Sequence, residues 1–279
     1  MSPVEDAPDA PPFKLHRRFD RIGRLLGDEG MARLAAARVV VIGLGGVGSH
    51  CAESLVRSGV GSVDLVDFDL VCVTNTNRQL QAMRGTVGQP KATVLAERLR
   101  AINPAATIRA VPLFYEDRVA DAILKPPIRY VVDAIDNLTA KCHLLATCRA
   151  RGIPVLSCTG SSGRLDPTRV RVDDLAQTRI DPLAAAARKI LRNKYDFPRS
   201  GDFGIPAVYS VEPLQSPLPL AYDGEEGFSC VCPNGDNDHH TCDDRHVVWG
   251  TAGFVTATVG LTAASVVVRH ISGREALPG

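Results

Sequence analysis

Little in this chain leans toward one sign of charge. Lysine and arginine number 32 against 31 aspartate and glutamate, a formal net charge of +1, so no global field draws the chain to nucleic acid. That argues against a dedicated nucleic-acid-binding module and leaves only a local basic patch. Lys14–Arg24 and Arg188–Lys194 are the two basic segments, each equally readable as a solvated helix face. A secretory signal is also missing, because the first twelve residues are acidic and proline-rich with no apolar stretch. The eight cysteines are therefore expected in a reducing cytoplasm rather than in disulfides. Five of them, Cys51, Cys72, Cys142, Cys148 and Cys158, fall singly within core elements or at strand ends, where a free thiol packs as a small hydrophobe. Internal repeats are absent. So is a run of bulky aliphatics. Thr251–Val268 is uncharged and near the ~18–20 residues that span a bilayer, but alanine, threonine, glycine and serine dominate it. Insertion scales reward bulky aliphatics most, so a helix packed in a core or dimer interface is expected, and membrane association is not.

What is present is an alternation of apolar strands and amphipathic helices. Strands are expected at Val39–Ile42, Ser62–Asp67, Thr107–Val111, Tyr130–Ala134 and Val155–Ser157, with helices at Ser49–Ser58, Lys91–Ile102 and Leu138–Arg151. A basic amphipathic helix is expected near Phe19–Leu26. After Gly163 the style changes. Arg169–Asp173 alternates with period two, as an antiparallel strand does, and Asp181-Pro182 caps and opens a helix. Residues 193–205 and 221–246 read as loops. The fold class is α/β, a doubly wound, mainly parallel, Rossmann-like sheet with an antiparallel extension.

The first strand runs into Gly43-Leu-Gly45-Gly46-Val-Gly48-Ser49. Glycines between a buried strand and a helix permit a tight bend and let backbone N–H groups approach a phosphate. Asp67 ends the next apolar run roughly 20 residues on, where a ribose-binding carboxylate belongs. Asp69 follows as a loop-shaping or supporting carboxylate. Asn75, Arg78 and Gln79 are spaced i, i+3, i+4 and would share one face of a helical turn. Arginine's rigid fork suits a polyphosphate. Lys91 opens a helix, an unfavourable place for a cation unless an anion binds nearby. Asp136 lies just past a strand, at the carboxyl edge where open α/β sheets bind ligands.

Taken in order, Gly43–Ser49, Asp67-Phe-Asp69, Asn75–Gln79, Gly88-Gln-Pro-Lys91 and Asp133-Ala-Ile-Asp136-Asn137 resemble the ATP-binding core of the ubiquitin-activating-like adenylating enzymes. The resemblance spans about residues 18–157. Within that superfamily the chain is most similar to the tRNA threonylcarbamoyladenosine dehydratases, on Val73–Gln79, Gly163–Pro167, Asp173–Thr178 and Asp181–Ala184. Residues 1–12, where Pro3, Pro8, Pro11 and Pro12 punctuate acidic residues, read as a disordered leader, and a single adenylating domain is expected at 13–279. That domain has its ATP-binding core at about 18–157 and a substrate and dimer region at about 158–279. ATP and Mg²⁺ are implied as cofactors, with Asp136 as the Mg²⁺ carboxylate. The glycines at 43, 45, 46 and 48, together with Asp67, Asp69, Asn75, Arg78, Gln79 and Lys91, would hold the nucleotide. The segment Arg18-Phe-Asp-Arg21 resembles the family's N-terminal arginine motif, whose second arginine enters the neighbouring subunit's site. Arg21 is thus the matching residue of an expected homodimer, acting with Arg78, Lys91 and Asp136. One departure stands out: the arginine usual a few positions after the aspartate is missing, and Lys141 stands near there.

Cys230, Cys232 and Cys242, with His239 and His240, invite a structural Zn²⁺ site of three thiolates and one imidazole. The spacing departs from the paired C-x-x-C of related enzymes, so a redox or sulfur-relay thiol and plain loop residues stay open beside it. Two substrates also stay open. One is threonylcarbamoyladenosine in tRNA, cyclised through an acyl-adenylate, with Arg188, Lys189, Arg192 and Lys194 as the basic surface. The other is the C-terminal glycine of a ubiquitin-like sulfur carrier, a reading that brings in a sulfur-carrier or cysteine-desulfurase partner. A nicotinamide-dependent redox enzyme would leave Arg78, Lys91 and Asp136 without a role, and a silent ATP-binding scaffold would show no pyrophosphate exchange.

Overall fold

β-Branched runs supply the middle of the molecule. A computed structural model describes residues 13–221 and 248–274. Its strands are β1 (Arg38–Ile42), β2 (Ser62–Val66), β3 (Thr107–Val111), β4 (Tyr130–Asp133), β5 (Val155–Cys158), β6 (Val170–Asp174) and β7 (Pro206–Ser210). They form one sheet in the order β3-β2-β1-β4-β5-β7-β6. Every pair is parallel except β6 with β7. Val39–Ile42 are buried from both sides, as a central parallel strand requires. The strand order reverses between β1 and β4, and such a switch point opens a crevice at the carboxyl ends of the strands. Among the expected elements, the antiparallel strand is present, shifted by one residue to Val170–Asp174.

The helices are α1 (Asp20–Ala36), α2 (Gly48–Arg57), α3 (Lys91–Ile102), α4 (Asp117–Ile123), α5 (Leu138–Ala150), α6 (Pro182–Lys194) and α7 (Gly253–Ser272). One face of the sheet packs beneath α1, α2, α3 and α7, and the other beneath α4, α5 and α6. Asn137 and Asp181 cap α5 and α6 by accepting from the N–H groups of Ala140 and Ala184. The small residues of α7 have a packing reason. A side chain at Gly260 would collide with the Val47 carbonyl, so glycine lets α7 lie directly on α2. By length and composition α7 could cross a membrane, yet half of its apolar window is buried in the fold, with Val255, Val259, Ala263, Val267 and Ile271 in the core.

The expected first helix ends at Leu26, because Gly27, with φ +71° and ψ 169°, is non-helical; a second helical segment then runs to Ala36 and buries Gly30, Met31 and Leu34. Two local expectations are corrected. Helix α6 reaches Lys194, shortening the loop expected from 193. Strand β7, at Pro206–Ser210, also interrupts the chain beyond that loop and joins β5 to β6.

Candidate active site

The glycine loop after β1 is fixed by contacts that glycine alone permits. At Gly43, φ is +87° and a Cβ would lie 2.5 Å from the Ala134 carbonyl oxygen. At Gly48 a Cβ would strike the Gly43 carbonyl, and at Gly46 it would come within 2.8 Å of Thr256 Oγ1. Gly45 is different. A Cβ there would meet nothing closer than Gln79 Nε2 at 3.9 Å, so packing does not demand glycine at that position. Its backbone borders open space at the start of α2, where a polyphosphate needs close approach.

Asp67 holds this loop from beneath. Its Oδ2 accepts the Leu44 N–H at 2.6 Å, and its Oδ1 accepts the Asp69 N–H at 2.8 Å. Both oxygens keep further acceptor capacity for a ribose hydroxyl. Burial, the largest influence, pushes the Asp67 carboxyl above its ordinary range against the pull of Lys91. Lys91 is buried at the first position of α3, with Nζ 2.6 Å from Asp69 Oδ2. Burial alone would lower its pKa, but Asp67, Asp69 and Asp136 outweigh it, and the ammonium is held above its usual range. The expected cluster thus comes together around one cation. Asp136 is exposed in the short link between β4 and α5. No group of three His, Cys, Asp or Glu able to hold a metal occurs among the described residues. A cation here would need oxygens from its ligand, which is the way Mg²⁺ binds nucleotides through one or two carboxylates.

Asn75, Arg78 and Gln79 differ in exposure, though Gln79 Nε2 lies toward Gly45 and Arg78 toward Gly46. Asn75 and Gln79 are buried, while Arg78 is half-exposed. Asn75 Oδ1 accepts the Cys72 N–H at 3.0 Å and shapes the turn. Gln79 Oε1 accepts from Gln81 Nε2 at 3.3 Å. Arg78 lies over Gly46 and donates to the Thr74 carbonyl and to Asn77 Oδ1. It also borders an open cavity of about 580 Å³ beside His50, Asn77, Gly253 and Phe254. Buried Gln81 was not apparent from the sequence. Its Nε2 donates to the Leu44 carbonyl at 2.6 Å, bracing the loop at the same residue whose N–H Asp67 accepts.

Arg21 lies elsewhere. Its neighbour Arg18 donates to the Ile102 carbonyl at the far end of α3. Helix α3 has 12 residues and is about 18 Å long, so Arg18 sits roughly a helix length from Lys91. The arginine motif is at the opposite edge of the sheet from the chain's own site. Lys141 is fully buried and paired with Asp133.

The segments after Gly160 interlock. Arg164 and Asp181 form a buried ion pair at 3.0 Å. Glu212 accepts the N–H groups of Leu165 and Asp166, and Asp174 accepts those of Ala176, Phe203 and Ile205. Partners so distant in sequence carry no local signal, and nothing in the sequence marks Glu212. Of the basic candidates on α6, Lys189 and Lys194 are exposed. Arg188 is bonded to Thr178, and Arg192 donates to the Pro198 carbonyl. Cys230, Cys232, Cys242, His239 and His240 lie outside the described residues. The five described cysteines are buried and form no disulfide with one another.

The chain is similar over most of its length to known proteins. A tRNA threonylcarbamoyladenosine dehydratase of Haemophilus influenzae is 39% identical over 254 residues, covering 90% of this chain and 92% of the relative. The crystal structure of the E. coli tRNA N6-threonylcarbamoyladenosine dehydratase in complex with ATP superposes with a TM-score of 0.78 at 37% identity. That match covers 94% of this chain and 97% of the other. A sulfur carrier protein adenylyltransferase of Thermus thermophilus is 42% identical, but over 116 residues that make up 42% of each chain. The model of the ThiF family matches residues 19–278, nearly the whole length over which the glycine loop, Lys91 and the interlocked segments are arranged, and the chain belongs to the ThiF family.

Proposed function

We propose that the chain catalyses the ATP-dependent dehydration of threonylcarbamoyladenosine in tRNA. The observation that carries the activation step is the convergence of Asp67, Asp69 and Asp136 on buried Lys91 beside the open backbone of Gly45. A cation held among carboxylates at the switch point suits a nucleotide that brings its own negative charge and a divalent ion. Asp136 would hold Mg²⁺, which would neutralise charge on the phosphates when bound. Lys91 and Arg78 neutralise charge at the phosphates and position them. Asp67 receives the ribose and Gly43–Gly48 cradle the phosphate chain. In a homodimer Arg21 enters the partner's site from the far edge of the sheet. A substrate carboxylate oxygen attacks the α-phosphorus and pyrophosphate leaves. A nitrogen of the same substrate then attacks the acyl carbon, closes a ring and releases AMP, for a net loss of one water. We place this activity in the cytoplasm.

The tRNA reading is favoured over activation of a sulfur carrier by the interlocked region after Gly160. There Arg164–Asp181, Asp174 and Glu212 join the segments that resemble the dehydratases into one framework. ATP–pyrophosphate exchange tests the choice. Exchange stimulated by threonylcarbamoyladenosine-containing tRNA is expected, and exchange stimulated only by a carrier-protein C-terminus would transfer the assignment to the second reading.

A further inference from the structure

A buried hydroxyl without a partner stands at the end of β5. Thr159 is 6% exposed, and its Oγ1 has no hydrogen-bond partner among the described residues. Its backbone N–H is bonded to the Val208 carbonyl at 3.0 Å, so the side chain alone is left unmatched. Buried polar groups are almost always paired, and an exception calls for a role.

The position supplies one. β5 pairs with β4 through Ser157 and Asp133, and continuing that register by one pleat sets Thr159 opposite Ile135, the residue before Asp136. Alternation along the strand puts Thr159 on the face of Ser157, whose hydroxyl bonds Asp133 beneath α5. Helices α5 and α6, of 13 residues each, both begin on that face at the carboxyl edge of the sheet. Their N-termini favour a negatively charged group there. The turn leading into α6 abuts the same strand end, with Asp181 Oδ2 3.1 Å from where a Cβ of Gly160 would be. That turn also holds Ile180 at a φ of +67°. A β-branched residue takes this conformation only when its surroundings impose it. Here Thr178 and Asp181 are fixed on either side by Arg188 and Arg164.

We propose that Thr159 is a substrate-binding residue whose hydroxyl, between the N-termini of α5 and α6 and beside Asp136, holds the carboxylate-bearing acyl group for adenylation. The inference rests on the carboxylate-activating reading given above. It is tested with Thr159→Val, close in shape but lacking the hydroxyl, and Thr159→Ser, which keeps it. Dehydration kinetics on modified tRNA, ATP affinity and thermal stability are measured for both. For Thr159→Val, kcat/KM for modified tRNA should fall by about 10- to 100-fold, the scale of one hydrogen bond to a charged group. ATP affinity should be unchanged and Tm equal to or above that of the wild type, because no existing bond is lost. Thr159→Ser should keep most of the activity. Wild-type kcat/KM in Thr159→Val overturns the inference, as does a fall in Tm and ATP affinity that accounts for the lost activity. A wild-type chain that leaves the modified nucleoside intact defeats the underlying reading, and the role of Thr159 with it.

Discussion

The Lys141 ammonium lies 2.6 Å from the Asp133 carboxylate, and neither side chain has any exposure. The Cys158 carbonyl at 2.9 Å and Ser157 Oγ at 3.4 Å complete the lysine's partners. Burial pushes the Asp133 carboxyl up, opposed by the Lys141 charge and the Ser157 hydrogen bond. This arrangement accounts for the departure from the family pattern after Asp136. The lysine near the expected arginine position is fully buried and ties α5 to β4 and β5 inside the core.

Removing that lysine would leave a carboxylate buried without a counter-charge. Lys141→Met should cost about 3–5 kcal/mol in urea unfolding, the range for breaking a buried pair. Adding Asp133→Asn should recover part of the loss. A Lys141→Met protein of wild-type stability that no longer binds ATP would place the lysine in the site after all.

Asp136 is exposed, so its loss should be felt in chemistry rather than in stability. Asp136→Asn should lower turnover by at least about 10²-fold, the scale of one preorganised electrostatic group. Its circular dichroism and Tm should match the wild type. Full turnover in the folded variant would remove Asp136 from the mechanism.

The parallel half of the fold was legible because each of its signals is local. A β-branched run, glycines and then a helix can be read at Val39–Ser49, and Asp181-Pro182 announces the start of α6 without help from elsewhere. Strand β7 was not legible, since Pro206–Ser210 opens on a proline and is defined by its partners β5 and β6. Around Lys91 the structure gathers the carboxylates Asp67, Asp69 and Asp136, while the hydrogen bonds of Asn75 and Gln79 depend on neighbours. Asn75 Oδ1 accepts from the Cys72 N–H and Gln79 Oε1 from Gln81, leaving Gln79 Nε2 toward Gly45. Spacing alone gives no sign of that. Glu212, Gln81 and the pairing of Arg164 with Asp181 depend on chain segments that meet only in the folded state.

The place of Arg21 at the far edge of the sheet makes a statement about assembly. Arg21→Ala and Lys91→Ala chains should each be inactive alone. Mixed under conditions of subunit exchange, they should regain part of the activity, because a mixed dimer contains one site with both groups. Absence of rescue despite demonstrated exchange would confine Arg21 to a structural role.

Ring closure by a tethered nitrogen needs no covalent cysteine, and the described thiols fit that requirement. Burial pushes Cys142 to about 11, and Cys148 and Cys158 to about 12. The thiolate is the reactive form, so these cysteines should resist iodoacetamide in the native protein at pH 8 and react after unfolding. Peptide mass mapping reads the outcome. Rapid native labelling of Cys158 with loss of activity would reopen a thioester route.

Central to the account is the conversion of one nucleoside into another at the expense of ATP. The direct measurement is mass spectrometry of nucleosides from threonylcarbamoyladenosine-containing tRNA after incubation with the protein, ATP and Mg²⁺. The account predicts that threonylcarbamoyladenosine loses the mass of one water, with AMP and pyrophosphate formed alongside, and that omitting ATP prevents the change. An unchanged nucleoside under conditions in which the same preparation adenylates a carrier-protein C-terminus would contradict it.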